Sequence, residues 1–326
     1  MTVDLLAGQQ IIDIGRRDHG PISLAVAERG EGTAVVFCHG FPELGYSWRH
    51  QLDAVSAAGF RAIAPDQRGY GASSAPDAVD AYGITELCGD LDALCETLGI
   101  DQAIFVGHDW GGFVAWAMPV LYPQRCLGVV GVCTPYVPFP TTDVLRMLVG
   151  GRDDAMYMLW FQEPGVAEAV MDPQASLLFE RLQRGGVSPE LLAGGMLVDG
   201  EFDMNPFRRL ESLSPMGERV GTAEDLAVYQ RIFGQTGFRG GINWYRNIDR
   251  NHAEHPDVGV ASIDLPALMV TAEWDPALSP ALSLGMEDRC SDLERAMIER
   301  AGHWVQQEYP DELNAVLISW LTRRFG

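Results

Sequence analysis

The chain has 326 residues, 47% of them hydrophobic, enough for one large α/β domain with an insertion or for two modest domains. Its 45 acidic residues outweigh 23 basic ones, every one an Arg, and the net charge of −22 disfavours nucleic acid and anionic membranes as partners. No run of ~18 apolar residues occurs, and no basic-then-apolar leader opens the chain. Six cysteines (Cys38, Cys88, Cys95, Cys126, Cys133, Cys290) form no C-x-x-C pair, and several sit in apolar runs. The expectation is a cytoplasmic protein with reduced, mostly buried thiols, no cofactor, and no His/Cys cluster at metal-ligand spacing.

In chain order, the first third alternates two kinds of pattern. Short apolar runs predict strands over Ile22–Ala27, Ala34–Cys38, Arg61–Ala64 and Ala103–Val106, with helices over Trp48–Ala58 and Ile84–Leu98 between them. A helix opening at Gly111 and a strand over Leu127–Cys133 follow. The rhythm resumes at the C-terminal end, with strands over Ala267–Thr271 and Arg295–Ile298 and a closing amphipathic helix over Pro310–Thr322. This βαβ alternation predicts an α/β fold whose mostly parallel sheet carries helices on both faces.

From Tyr136 to about Pro256 the rhythm changes. The segment is rich in Met, Leu, Arg and Gly, shows helical patterns such as Thr222–Phe233, and has no strand alternation. Pro135, Pro138 and Pro140 mark the way in. The division predicted is a core of residues 1–136 and 257–326 with a helical cap, 137–256, inserted in it.

The most chemically specific stretch is Gly107-His108-Asp109-Trp110-Gly111, directly after the strand Ala103–Val106. Strand followed by Gly-x-nucleophile-x-Gly is the pattern of a nucleophile elbow, a sharp strand-to-helix turn that small flanking residues permit. The usual Ser is replaced by Asp109. A carboxylate attacking a saturated carbon makes an alkyl ester, which activated water must cleave. The substrate then needs an sp3 carbon with a leaving group, either a strained ether oxygen or a halide.

The second step asks for a base and something to orient it. His303, in Ala301-Gly302-His303-Trp304 after a strand, is the predicted base. Asp275, in Glu273-Trp274-Asp275-Pro276 past another strand, is its predicted orienter, with Glu273 the nearby rival. The order nucleophile, acid, His matches an α/β-hydrolase fold, in which all three stand at strand C-termini. Backbone N–H groups of Phe41 and Trp110 are the predicted oxyanion hole. His39 and His108 are read as holding backbone geometry, and His252 and His255 as lying in a solvated loop.

Five motifs together resemble the soluble epoxide hydrolase family. They are His39-Gly40-Phe41-Pro42-Glu43, Asp66-Gln67-Arg68-Gly69-Tyr70-Gly71, Gly107-His108-Asp109-Trp110-Gly111-Gly112, Trp160-Phe161-Gln162-Glu163-Pro164-Gly165 and Gly240-Gly241-Ile242-Asn243-Trp244-Tyr245-Arg246. The resemblance runs from about Val36 to Trp320 and covers the hydrolase domain of the two-domain members, so a phosphatase-like domain is not expected before it. It implies conversion of a small-molecule epoxide to a diol, with Tyr157 and Tyr245 as acids on the epoxide oxygen. It also implies a pocket walled by Phe41, Trp110, Trp160, Phe161 and Trp304, and leaves room for a homodimer. Trp160 stands three positions after Tyr157, where a Tyr is common, and so alters that wall.

Two other readings stay open on sequence. One is a dehalogenase with the same Asp nucleophile, of haloalkane or fluoroacetate type. Phe41 counts against the haloalkane type, which usually has Asn there, and Trp110 is its candidate halide ligand. The other is a catalytically silent ligand sensor, although no triad member is missing.

Overall fold

A computed structural model describes residue 3 and residues 5–188, 191, 197–198 and 201–326 of the chain. An eight-stranded sheet organises it. Its strands are β1 (Gln9–Arg17), β2 (Gly20–Arg29), β3 (Ala34–Cys38), β4 (Arg61–Asp66), β5 (Ala103–His108), β6 (Cys126–Val132), β11 (Ala267–Ala272) and β12 (Leu293–Ile298), with β7 to β10 lying in the inserted segment. The spatial order is β1-β2-β4-β3-β5-β6-β11-β12. β2 runs antiparallel to β1 and β4, and every pairing from β4 onward is parallel.

The central strands read as unbroken apolar runs because both of their faces are covered. Every residue of β3, β5 and β11 is buried. Alternate residues feed two separate cores. Val36, Cys38 and Phe105 pack with Leu87, Leu91 and Val114 from the helices Ile84–Thr97 and Trp110–Leu121. Val35, Phe37, Ile104 and Val106 point the other way, onto Leu52, Val55, Leu313 and Trp320 from the helices Arg49–Ala57 and Pro310–Phe325.

β1 was absent from the sequence reading. Its polar sequence QQIIDIGRR, at the sheet edge with an irregularity between Asp13 and Arg16, lacks a clean alternation. Between β6 and β11 the described residues form a series of mostly short helices. They also form minimal two-residue strands that no periodicity announces: β7 (Arg184–Gly185) with β10 (Glu218–Arg219), and β8 (Leu197–Val198) with β9 (Glu201–Phe202). His252 lies in the helix Ile248–Glu254 instead of a loop. Phe161, Leu178, Phe179, Tyr229 and Phe233 of this segment join the core that contains Phe105, so it is packed onto the sheet domain and not tethered beside it. No helix among the described residues is long and apolar enough to cross a membrane.

Candidate active site

Asp109 sits where β5 turns into the helix Trp110–Leu121, with φ of 51°. That left-handed conformation is strained for a residue with a Cβ and must be held by its surroundings. The Asp109 carbonyl accepts the Thr134 hydroxyl at 2.7 Å. Gly111 allows the turn to pass beneath β3, because a Cβ there would overlap the Cys38 carbonyl. The Phe41 N–H, delivered by the loop after β3, donates to Asp109 Oδ1 at 2.8 Å. That leaves Oδ2 on the side of His303, whose Nε2 is 3.6 Å away.

His303 stands in the loop after β12, and Asp275 in the loop after β11. Their side chains meet, with His303 Nδ1 2.9 Å from Asp275 Oδ2, which fixes the Nδ1–H tautomer. Asp275 Oδ1 accepts the N–H groups of Ala277 (2.8 Å) and Leu278 (2.9 Å). Glu273, the rival, points elsewhere: it is exposed and accepts the Arg300 N–H at 2.8 Å.

The electrostatics follow from one imidazole between two carboxylates. Burial opposes ionisation of Asp275, but the His303 charge and the Leu278 and Ala277 N–H groups hold its carboxyl down at about 2. Burial likewise works against the Asp109 anion, and His303 and the Phe41 N–H outweigh it, leaving the carboxyl below its ordinary value. Burial would discharge His303, yet Asp275 and Asp109 keep it well above the usual imidazole value.

The imidazole's loop is gripped by a buried network. His108 Nε2 contacts the His303 carbonyl at 2.7 Å, and His108 Nδ1 contacts Glu43 Oε2 at 2.8 Å. Glu43 also accepts the Gly40 N–H (2.9 Å), the Gln306 amide (2.7 Å) and the Gln307 amide (3.3 Å). His39 contacts the Gly40 carbonyl and accepts the Gln67 N–H. Sequence reading gave the two histidines a backbone role but missed Glu43, whose only signal was an acid inside the His39–Glu43 motif.

Tyr157 begins a short helix, Tyr157–Trp160, and Tyr245 ends another, Arg239–Tyr245. Gln162 joins them, its amide donating to the carbonyls of Met158 (2.7 Å) and Tyr245 (3.0 Å). Arg246 adds a second tie, from the Phe161 carbonyl (2.8 Å) to Glu168 (2.6 Å). The rings stand 5.6 Å apart, edge to face. Burial and the facing Asp109 charge push both phenols above their ordinary value, so both keep their protons.

Asp109, His303, Tyr157 and Tyr245 line one cavity of about 270 Å³. Phe41 and Trp304 line it too, whereas three other expected wall residues do not. Phe161 is wholly buried behind the phenols, 5.1 Å from the Tyr245 ring. Trp110 packs edge-on against Tyr245 at 5.1 Å and against Trp244 at 6.0 Å. Trp160 is half-buried, its ring tilted against Phe161 at 5.8 Å. The rest of the wall comes from 178–187 and 203–216, including Leu182, Gln183, Phe207 and Met216, and from Trp274 beside Asp275.

Comparison with known proteins agrees with this geometry. A family model described as alpha/beta hydrolase fold matches residues 33–310. The chain is 41% identical to bifunctional epoxide hydrolase 2 of Mus musculus over 92% of its own length and 53% of that protein, so it spans about half the length of this curated relative. It is 38% identical to epoxide hydrolase A of Mycobacterium tuberculosis, covering 94% of this chain and 96% of that one. The crystal structure of epoxide hydrolase A from Mycobacterium thermoresistibile superposes with a TM-score of 0.85 at 39% identity, over 96% of this chain and 98% of the other. An aspartate at the elbow, within relatives matched along nearly their whole length, leads to one assignment: the chain belongs to the epoxide hydrolase family of the α/β hydrolase fold.

Proposed function

We propose that this chain hydrolyses small-molecule epoxides to vicinal diols through a covalent ester on Asp109. The convergence of two protonated phenols and one ionised carboxylate on a single cavity carries this reading. Residues 1–136 and 257–326 act as the core and 137–256 as the cap that brings the phenols. The six free, buried cysteines fit a reducing compartment, the cytoplasm.

In the first step Tyr157 and Tyr245 hydrogen-bond the epoxide oxygen, and Asp109 Oδ2 attacks the adjacent carbon. The C–O bond of the ring breaks, and a phenol proton moves onto the departing oxygen. In the second step neutral His303 takes a proton from water, and the resulting hydroxide adds to Asp109 Cγ. Negative charge then develops on Oδ1, where the Phe41 N–H already points, with the Trp110 N–H as the second donor proposed. Collapse breaks the ester C–O bond, the proton of the added hydroxyl passes to the departing alkoxide to give the diol and the Asp109 carboxylate, and the proton on His303 restores the phenol. Asp275 keeps the imidazole oriented throughout.

Halide departure needs no proton, and the Trp110 indole, the natural halide ligand, lies outside the cavity wall. The epoxide reading therefore stands ahead of the dehalogenase reading. A panel of terminal, styrene-type and trans-disubstituted epoxides, run beside 1-haloalkanes and fluoroacetate, tests it. Diol formation without halide release is expected; faster halide release would overturn it.

A further inference from the structure

Glu308 closes the short helix Val305–Glu308, five residues after His303. Its carboxylate accepts backbone N–H groups on both sides of that histidine, from Gly302 at 3.0 Å and Trp304 at 2.8 Å. The oxygen that holds Gly302 also accepts the Gly186 N–H, at 3.3 Å, from the cap. Beside it, the Trp304 indole donates to the Leu182 carbonyl at 3.2 Å. Gly185 lies so close that a Cβ on it would overlap Glu308 Oε2. Leu182, Gln183, Arg184, Gly185 and Val187 form one wall of the cavity, and Gly302, His303 and Trp304 another. One carboxylate thus joins the loop of the base to the cap wall facing the substrate. Capping the short helix requires only the Trp304 contact. The Gly186 bond and the bare backbone at Gly185 go beyond that need.

We propose that Glu308 is a positioning residue that ties the seating of the cap to the placement of the His303 imidazole, and so sets the rate of ester hydrolysis. The inference rests on the two-step reaction proposed above. If the cap wall lifts, the carboxylate shifts, and the two N–H groups it holds carry His303 with it. Alkylation needs only Asp109 and the phenols, whose helices are tied to each other through Gln162 and Arg246 and not to the 182–187 wall, and is insensitive to that displacement.

The test measures both half-reactions in single turnovers with an epoxide such as styrene oxide, in the parent, Glu308→Gln and Gly185→Ala, each with a thermal melt. Glu308→Gln keeps the size but turns an NH2 group toward N–H donors on one side. Alkylation should stay within about 2-fold, while ester hydrolysis slows on the order of 10- to 10²-fold, as a small misplacement of a reacting group can produce. Gly185→Ala acts from the cap side alone and should give the same split. In a Glu308→Ala background the three atoms nearest the added methyl are gone, so it should slow hydrolysis no further. Parallel loss in both half-reactions, or hydrolysis unaffected by Gly185→Ala, overturns the proposal. Failure of the underlying mechanism is a separate result, the lack of any Asp109 adduct in His303→Gln.

Discussion

His303 Nε2 lies 3.6 Å from Asp109 Oδ2, longer than a direct hydrogen bond and close enough for an ion pair. That ion pair exists only while Asp109 is free. Esterification removes the Asp109 charge, and His303 keeps only Asp275 to favour its proton. On the proposed mechanism the first step thereby makes the imidazole a better base for the second.

A pH dependence follows, with its sign. Asp109 is held below, and the phenols above, their ordinary values, so alkylation should be flat from about pH 5 to 9. Hydrolysis needs neutral His303, whose value is raised in the free enzyme by Asp275 and Asp109 together, against burial. The hydrolysis rate should rise with pH through a single ionisation lying below that of His303 in the free enzyme. Stopped-flow single turnovers separate the limbs; a hydrolysis rate that falls as pH rises contradicts the assignment of the base.

Replacing Asp275 with Asn should slow turnover by roughly 10²- to 10⁴-fold, since the imidazole loses the carboxylate that sets its tautomer. Glu273→Gln should stay within about 3-fold, because its carboxylate holds only the Arg300 N–H at the surface. Steady-state kinetics on the two variants would reveal a reversed ranking at once.

Asp275 also links stability to pH. Its carboxyl is depressed to about 2 from 3.8, so it stabilises the folded state above the unfolded value, and that contribution disappears as pH falls through the folded one. Its size is about 2 kcal/mol, lost between about pH 4 and pH 2. Denaturant melts across that range should show a shallower acid decline in Asp275→Asn than in the parent.

Each change of Tyr157 or Tyr245 to Phe should slow alkylation on the order of 10²-fold, and the double change should nearly abolish it. Phe fills the same space, so circular dichroism should show the fold intact. Alkylation by the double variant at the parent rate would remove the phenols from the mechanism.

Glu43 is fully buried and accepts from Gly40, Gln306 and Gln307 beside His108. Glu43→Ala strands those groups away from water and should destabilise the fold by about 3 kcal/mol or more. An unchanged melting temperature would show that the network relaxes freely.

Much of this was legible in the sequence because local rules agree with the tertiary result at the sheet. Strands buried on both faces, such as Ala103–His108, read as apolar runs, and the elbow glycines mark the turn that presents Asp109. The motifs around Gln162 and Arg246 hold the residues that join the tyrosine helices. Legibility ended where position depends on packing between distant segments. The polar edge strand Gln9–Arg17 takes its register from β2, and the walls at 178–187 and 203–216 are made by stretches with no chemical signature. Trp160 shows the limit most clearly, because its place in a motif gave its neighbourhood but not whether it reaches the cavity.

The central claim is a covalent ester on Asp109, and His303→Gln is the variant that isolates it, since it removes the base for hydrolysis while sparing attack. Intact-protein mass spectrometry after mixing that variant with saturating epoxide should show one substrate-sized mass increase, mapped by peptide analysis to Asp109. A folded His303→Gln protein with no adduct, or an adduct elsewhere, contradicts the account.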